Sequence, residues 1–134
     1  MLLLAAGLAL AAPAAFAGSL YDELGGKAGI AAFVGRTIDL SFTDPRIAHT
    51  FKNSKPDYLK KMISEQFCAL SGGPCTYTGV DMKKSHQGLG LTSLHFNALV
   101  EVLQQAMREA GIPSATQNRL LALLAPMHRD VVEK

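Results

Sequence analysis

The sequence predicts an all-α fold, and three observations support this prediction. Apolar residues recur at intervals of three and four along several stretches, which is the period of one helix face. Glycine and proline clusters separate these stretches, and such clusters end helices rather than continue them. Aromatic residues make up 7% of the 134 residues and tryptophan is absent, a composition that suits a helical protein better than a β-sandwich. No stretch has the alternating pattern of paired strands.

The first part of the chain contains three predicted helical segments. Ser19 begins a short helix, which the Gly25-Gly26 pair ends. A longer helix is predicted over about residues 28–42, where apolar side chains recur with helical spacing. Asp44-Pro45 is a signal for a new start, because proline is tolerated in the first turn of a helix. A short helix over residues 47–51 follows.

The next segment is an amphipathic helix that begins at Lys55-Pro56-Asp57. Six of its side chains follow the spacing of one helix face. They are Leu59, Met62, Ile63, Gln66, Phe67 and Leu70. Gly72-Gly73-Pro74 ends the helix, and a loop is predicted from there to about Asp81.

Three helical segments are predicted after this loop. A brief turn over residues 83–87 is followed by two glycines that break it. Thr92 is a favourable N-cap residue for a long apolar helix, which ends at Gly111. Ser114 is predicted to cap a last helix, whose apolar positions continue to Val131.

Residues 1–17 are predicted to be a secretory signal peptide, separate from the folded domain. The segment is uncharged, rich in leucine and alanine, and ends in the small-x-small pattern Ala15-Phe16-Ala17. It is shorter than the ~20 residues of a membrane span, and Pro13 interrupts it. The segment is irregular for a signal peptide in that no lysine or arginine precedes the apolar run. An uncleaved anchor is the alternative. We predict one domain, residues 18–134, exported to the bacterial periplasm and free of the membrane after cleavage.

The net charge limits the kinds of partner that the protein binds, and the two cysteines raise the question of a disulfide. The net charge of +2 is too small to indicate nucleic acid or a membrane surface as a partner. In an oxidising compartment Cys68 and Cys75 are able to form a disulfide that closes a short loop. Alternatively, Cys68 is a buried apolar residue and Cys75 a free thiol. Neither lies in a C-x-x-C-H motif, which excludes thioether attachment of a c-type haem.

His86 is the residue most suggestive of chemistry. It ends a basic, helix-like run and precedes the Gly88-x-Gly90 pair. Glycines at helix ends let chain segments pass close together, as they must around a large flat ligand. An imidazole beside such a loop is able to face inward and bind iron. A single histidine is more commonly a surface residue, so the surrounding pattern has to support the iron-binding interpretation.

That surrounding pattern resembles the group I truncated haemoglobins, short globins with a two-over-two helical sandwich. The matching stretches extend over most of residues 20–132 and are spaced as in the family. They are LYDELGG at 20–26, Phe51, GGPCTYTG at 72–79, MKKSHQGLGL at 82–91, HF at 95–96 and GIPS at 111–114. The resemblance implies one haem b cofactor (iron protoporphyrin IX) and reversible binding of O2, CO or NO at its iron.

Carried over residue by residue, the resemblance makes His86 the proximal ligand of the haem iron. Phe51 becomes the ring that packs on the haem face near the start of the distal helix. Five further residues match positions that line the haem pocket: Phe67, Tyr77, Met82, Leu91 and Phe96. For all of these lining residues, ordinary core packing is the alternative explanation.

The distal side departs from the family pattern. Members commonly hold bound oxygen with a tyrosine on the second helix and a glutamine on the distal helix. The matching positions here are Ile38 and Ile63, with Leu59 nearby, and none of these side chains can donate a hydrogen bond. The sequence therefore predicts an apolar distal pocket that retains oxygen weakly.

Met62 suggests a second interpretation of the distal side. It lies where some relatives place a histidine that binds the iron, and a thioether is a soft ligand able to replace it. With Met62 as sixth ligand the protein would be an electron-transfer or gas-sensing haem protein with a redox partner protein. The alternative is that Met62 fills a gap in the apolar pocket.

Four other side chains are weaker candidates. His128 resembles the final-helix histidine that some relatives bond covalently to a haem vinyl group, although an exposed helix-end histidine is the simpler interpretation. Lys84 and Lys60 are candidates for pairing with haem propionates. His95 begins the long helix and is assigned no axial role.

Reversible gas binding is thus the predicted function, and two other classes remain open. A nitric oxide dioxygenase would be an enzyme, but the absence of a distal donor counts against tight oxygen binding. A haem-free helical protein that has lost its cofactor is the third alternative.

Overall fold

The structure is a computed structural model that describes residues 18–134, so the predicted signal peptide lies outside it. The described residues form seven α-helices: α1 (Leu20–Glu23), α2 (Gly26–Ser41), α3 (Pro56–Leu70), α4 (Met82–His86), α5 (Ser93–Glu109), α6 (Ser114–Leu124) and α7 (His128–Val131). Two short 3-10 helices lie at Ala48–Phe51 and Ala125–Met127. No strand occurs in this part of the chain, which confirms the all-α prediction.

The second helix begins earlier than predicted, at Gly26 rather than near Ala28. Gly25 and Gly26 have φ values of 91° and 66°, in the left-handed region that favours glycine, so the chain turns sharply between α1 and α2. The new helix therefore starts at once. The interior face of α2 consists of Ile30, Phe33, Val34, Thr37, Ile38 and Ser41.

The starts of α3 and α5 follow the sequence prediction. Pro56 occupies the first turn of α3. The Oγ1 of Thr92 accepts the backbone N–H of His95 at 3.3 Å, and the Nδ1 of His95 accepts the N–H of Thr92 at 3.1 Å. This reciprocal pair satisfies two of the free donors at the start of α5. His95 therefore has a structural role that its position alone did not reveal.

The C-terminal region differs from the prediction in two respects. Pro113 occupies the N-cap position of α6, and Ser114 is the first helical residue rather than the cap. The predicted last helix is also broken into α6, a 3-10 turn and α7. Pro126 causes this break, because it has no N–H to donate and its ring collides with the carbonyl four residues earlier.

Two apolar clusters hold the helices together. α2 packs on α3 and on α5, and α5 packs on α6. The larger cluster joins these helices through Phe33, Phe67, Leu103, Met107 and Leu120, which are all buried. The smaller cluster consists of Ile47, Ala98 and Val102, against which Leu40, Phe51 and Leu99 pack. None of the helices within residues 18–134 is long and apolar enough to span a membrane.

Candidate functional site

A cavity of about 380 Å³ lies between α3 on one side and α4 with the start of α5 on the other. Its lining is mostly aliphatic and aromatic. The lining residues of α3 are Tyr58, Leu59, Met62, Ile63, Gln66 and Phe67. Those of α4 and the following segment include Met82, Ser85, His86, Leu89, Leu91, His95, Phe96 and Leu99. The cavity is thus a slot between two differently built walls.

Eleven of the residues singled out from the sequence line this slot. They are Ile38, Phe51, Leu59, Met62, Ile63, Phe67, Tyr77, Met82, His86, Leu91 and Phe96. Lys84, His128 and the two cysteines are not among the residues that line it. The structure therefore brings together the residues predicted to form the pocket from α2, the 3-10 helix at Ala48–Phe51, α3, α4, α5 and the two loops that flank α4.

His86 lies at the last residue of α4, where a short helix holds its ring in place. Asp81 caps this helix, its Oδ1 accepting the N–H of Lys84 at 2.8 Å. The Nδ1 of His86 is 2.8 Å from the carbonyl oxygen of Met82 and 2.8 Å from the Oγ of Ser85. Because a carbonyl only accepts, Nδ1 carries the proton and the lone pair is on Nε2. The imidazole is therefore in the tautomer that binds a metal through Nε2.

The opposite wall, formed by α3 and α2, offers few donors. Ile38 is only 1% exposed and contributes an aliphatic surface. The neighbouring hydroxyl of Thr37 donates to the carbonyl of Phe33 at 2.7 Å. Thr50 likewise donates to the carbonyl of Ile47 at 2.6 Å. These two hydroxyls donate to the backbone, so they are not available to donate into the slot.

Two polar side chains in the lining, Gln66 and Tyr77, were predicted only as packing residues. The Nε2 of Gln66 donates to the sulfur of Met127 at 3.6 Å. The Tyr77 hydroxyl donates to the carbonyl of Val80 at 2.6 Å. Burial raises the pKa of the Tyr77 phenol, and nearby Tyr58, Glu65 and Asp81 add to the effect. The phenol therefore stays protonated and keeps this bond.

The lysines predicted to pair with an acidic cofactor edge have other surroundings. The Nζ of Lys60 lies 2.8 Å from the carboxylate of Asp39, and this hydrogen bond raises the pKa of Lys60. The side chain of Lys84 is 74% exposed, and its Nζ is 3.9 Å from Asp81. Lys84 is consequently the freer of the two to pair with an anion.

His128 is held beside the slot. Its Nε2 lies 3.0 Å from the Oγ of Ser93, and its ring meets the ring of Phe96 edge-on with centroids 5.0 Å apart. Phe96 lines the slot, whereas His128 packs against Phe96. Neighbouring Met127 and Val131 do line the slot, and sequence reasoning had identified these two only as apolar helix positions.

Cys68 and Cys75 form a disulfide, with their Cα atoms 5.7 Å apart. The bond therefore decides between the two alternatives that the sequence left open. It joins the end of α3 to the loop that carries Tyr77. Thr78 of the same loop donates its backbone N–H at 3.1 Å and its hydroxyl at 2.7 Å to the carboxylate of Glu65 on α3. These links hold the loop against α3.

The slot fits a large apolar cofactor with a metal at its centre. Packed interiors contain few voids larger than a water molecule. An apolar slot of about 380 Å³ is far larger than such a void. A ligand that fills the slot therefore stabilises the fold. Two imidazoles line the slot, but the Nδ1 of His95 accepts the N–H of Thr92, so only the His86 ring has an Nε2 free to bind a metal. That ring suits a metalloporphyrin.

Comparisons with known proteins identify this architecture. The sequence model of the bacterial-like globin family matches residues 19–133. The group 1 truncated haemoglobin of Mycolicibacterium paratuberculosis is 34% identical over 113 residues, covering 84% of this chain and 83% of that protein. The chain belongs to the group 1 truncated haemoglobins. The corresponding protein of Tetrahymena pyriformis is 31% identical over 116 residues, covering 87% of this globin and 96% of the relative.

Solved structures agree with this assignment. The Fe(III) form of the Tetrahymena pyriformis truncated haemoglobin has a TM-score of 0.83, with 87% of this globin and 100% of that chain covered. The 2/2 haemoglobin of Synechococcus, at 24% identity, has a TM-score of 0.80 and supports the fold alone. The two-over-two sandwich is thus confirmed. The cofactor of this globin is haem b, and its function is haem-based gas binding.

Proposed function

We propose that this globin binds O2, CO and NO reversibly at a haem iron held by His86, and that it retains O2 weakly. The observation that carries the proposal is the contrast between the walls of the slot. One wall presents an oriented imidazole, and on the other wall Ile38, Leu59 and Ile63 present aliphatic side chains that have no donor. Haem b, when bound, supplies a ferrous iron that takes one diatomic ligand.

His86 suits the role of proximal ligand because of its hydrogen bonds. Nδ1–H donates to the Met82 carbonyl at 2.8 Å, one helical turn earlier in α4. Such a bond to the second ring nitrogen fixes the tautomer and makes Nε2 a better ligand. The Ser85 hydroxyl, also 2.8 Å from Nδ1, adds a second contact that restrains rotation of the ring.

The distal residues argue for weak retention of O2. A gaseous ligand that draws negative charge is retained by a hydrogen-bond donor directed at it. Ile38, Leu59 and Ile63 have none, and the Thr37 hydroxyl is bonded to the backbone. Binding of CO and NO depends less on such a donor, so we expect the apolar wall to weaken their binding less than it weakens that of O2.

Absorption spectra of the ferric and dithionite-reduced protein, with and without CO, test this proposal. We expect a five-coordinate ferrous protein that takes up CO, and an O2 complex that dissociates and autoxidises rapidly. A stable O2 complex with slow dissociation would contradict the weak-retention proposal. Rapid turnover of NO by such a complex would favour the enzyme alternative.

A second candidate function rests on Met62. This half-buried residue of α3 lines the slot on the wall opposite His86, and its thioether is a known iron ligand. If Met62 closes the sixth position, the globin transfers electrons or senses gas with a redox partner protein. A six-coordinate low-spin ferrous spectrum that Met62→Leu converts to five-coordinate would establish this alternative. Identical spectra for both proteins would exclude it.

Haem attachment is expected to be non-covalent. The solved Synechococcus relative carries covalently attached haem. Here, however, His128 is hydrogen-bonded to Ser93 and packs against Phe96 rather than lining the slot. Acid-acetone extraction should therefore remove all of the haem, whereas haem that stays with the protein and is released in His128→Ala would indicate a covalent link.

We also propose that residues 1–17 direct export to the periplasm and are removed. The disulfide between Cys68 and Cys75 supports this proposal, because disulfides persist in oxidising compartments and are rare in the cytosol. The mass of the protein purified from a periplasmic fraction tests it. A mature chain that begins at Gly18 is expected, and a full-length cytoplasmic protein would contradict export.

A further inference from the structure

The C-terminal residues bind the loop that follows His86. The Oε2 of Glu133 accepts the backbone N–H of Gly88 at 3.1 Å, and its Oε1 accepts that of Gly90 at 2.9 Å. One carboxylate thus holds two amides of the loop between α4 and α5. These two bonds, the one from Gly90 first, lower the pKa of Glu133, although desolvation opposes them.

Backbone hydrogen bonds reinforce the same contact. The N–H groups of Glu133 and Lys134 donate to the carbonyl of Leu91 at 2.9 and 3.2 Å. Leu91 is buried and lines the slot. We call residues 128–134, which comprise α7 and this tail, the C-terminal strap. Because α7 also packs on α4, the strap touches both the helix that ends in His86 and the loop behind it.

The loop between α4 and α5 needs such a restraint. Gly88 and Gly90 have φ values of 81° and 64°, and α4 ends at His86. Glycine-rich backbone has many alternative conformations, so ordering it costs more than ordering other residues. A carboxylate that accepts two N–H groups selects one conformation, and ionised acceptors form the stronger hydrogen bonds.

We propose that Glu133 is a positioning residue for the proximal imidazole. By fixing the loop after α4, the strap keeps His86 in the slot and slows the loss of haem. This inference rests on the proposed role of His86 as proximal ligand. The strap is in place for this role because α7, which follows the 3-10 turn at Ala125–Met127, packs on α4.

Haem loss from the full-length holoprotein tests the proposal. Haem transfer from the ferric protein to excess apomyoglobin should be about 10-fold faster in Glu133→Ala, since residues that orient metal ligands have effects of that size. Glu133→Gln keeps the side chain's shape and one acceptor, and should have a smaller effect. Glu101→Gln is the matched control, because Glu101 pairs with Arg46 and its side chain is 61% exposed. Equal rates in all four proteins would overturn the proposal.

Two structural readouts separate positioning from general stabilisation. The iron–histidine stretching band of the ferrous protein should shift in Glu133→Ala but not in Glu101→Gln. Amide hydrogen exchange at Gly88 and Gly90 should accelerate in Glu133→Ala, while exchange in α2 stays unchanged. Faster haem loss with an unshifted band and uniform exchange changes would reduce Glu133 to a stabilising residue and overturn the positioning role.

Failure of the underlying assignment gives a different result. If His86 is not the ligand, His86→Gly leaves the haem spectrum unchanged, and the iron–histidine band does not respond to either variant at position 133. If His86 is the ligand but the strap does not position it, His86→Gly changes the spectrum while Glu133→Ala matches wild type.

Discussion

The two walls of the slot differ in how their side chains are held. On the proximal side, His86 is oriented by polar contacts with Met82 and Ser85, and the loop behind it is bound by Glu133. On the distal side, the Ile38 and Ile63 side chains are held by apolar packing. Directional bonds specify an orientation, whereas apolar packing specifies only that space is filled.

The two walls differ because they have different tasks in the pocket. The proximal wall has to place one nitrogen in one direction, so it uses hydrogen bonds to restrain a ring. The distal wall has to admit a small neutral gas, and an aliphatic surface does so without stabilising a charged form. The comparison teaches that cofactor retention and ligand selectivity are set by different residues and can be changed independently.

Removing the proximal imidazole should have the largest effect. In His86→Gly we expect the affinity for hemin to fall by more than about 100-fold, because the metal–ligand bond is lost outright. Hemin titration followed by absorbance measures this change, and added imidazole should restore part of the original spectrum. His49→Gly, which changes an exposed histidine, is the control. A His86→Gly protein with unaltered colour would remove the proximal assignment.

Breaking the link between the two walls should have the next largest effect. The disulfide ties Cys68 of the distal helix to Cys75 in the loop that leads to α4, with a sequence separation of 7. In Cys68→Ser/Cys75→Ser we expect the free energy of unfolding to fall by about 2 kcal/mol, as for other short disulfide loops. Urea denaturation with and without reductant measures it. Reductant should destabilise wild type and leave the double variant unchanged, and the same response in both would contradict the prediction.

Adding a donor to the distal wall should have a moderate effect. Ile38→Tyr introduces a phenol at a position that lines the slot, and one new hydrogen bond is worth about 1 kcal/mol, or about fivefold in rate. We expect O2 dissociation to slow by that factor while CO dissociation changes little. Stopped-flow measurements test this, and Ile38→Phe is the control that adds the ring without the hydroxyl. Equal O2 rates in the two variants would show that the donor is not what limits retention.

Lowering the pH should reduce the free energy of unfolding through one carboxylate at each wall, and this is the smallest effect that we expect. Hydrogen bonds from Thr78 lower the pKa of Glu65 on the distal helix, and those from Gly90 and Gly88 lower that of Glu133. Because the pKa of each carboxyl is lower in the folded than in the unfolded protein, its ionised form stabilises the fold at pH values above the ordinary carboxyl pKa of 4.5. This stabilisation is lost as the pH falls from 4.5 through the lowered pKa. Urea unfolding between pH 6 and about 3.5 measures the slope. Glu65→Gln/Glu133→Gln should flatten it, and an unchanged slope would contradict the assignment.

Much of the slot was predictable because it depends on local signals. The face of α3 that includes Leu59, Ile63 and Phe67 follows from 3-4 spacing, which any helix must obey. The Thr92 cap follows from the chemistry of its hydroxyl, and it is present in the structure. The placement of His86 beside the slot agrees with the resemblance to the family, although its bond to iron stays a prediction.

Other features could not be predicted because they join residues far apart in the chain. The contact of Gln66 with Met127 spans 61 residues, and that of Glu133 with Gly88 spans 45. Neither partner has a local signal that names the other. The split of the last helix is different, since Pro126 was visible but the apolar pattern continued through it. There the backbone chemistry of proline overrode the periodicity.

The sequence by itself determined that the chain is helical, where most helices begin and end, and which side chains face inward, because these depend on neighbours within a turn or two. It also determined the absence of a donor at Ile38, Leu59 and Ile63, since that is a property of residue type. Only the tertiary structure decided how the C-terminal strap lies on the loop after His86 and which hydroxyls remain free. Those outcomes depend on where distant segments of the chain meet. The packing of the helices sets these meeting points, and local sequence chemistry does not.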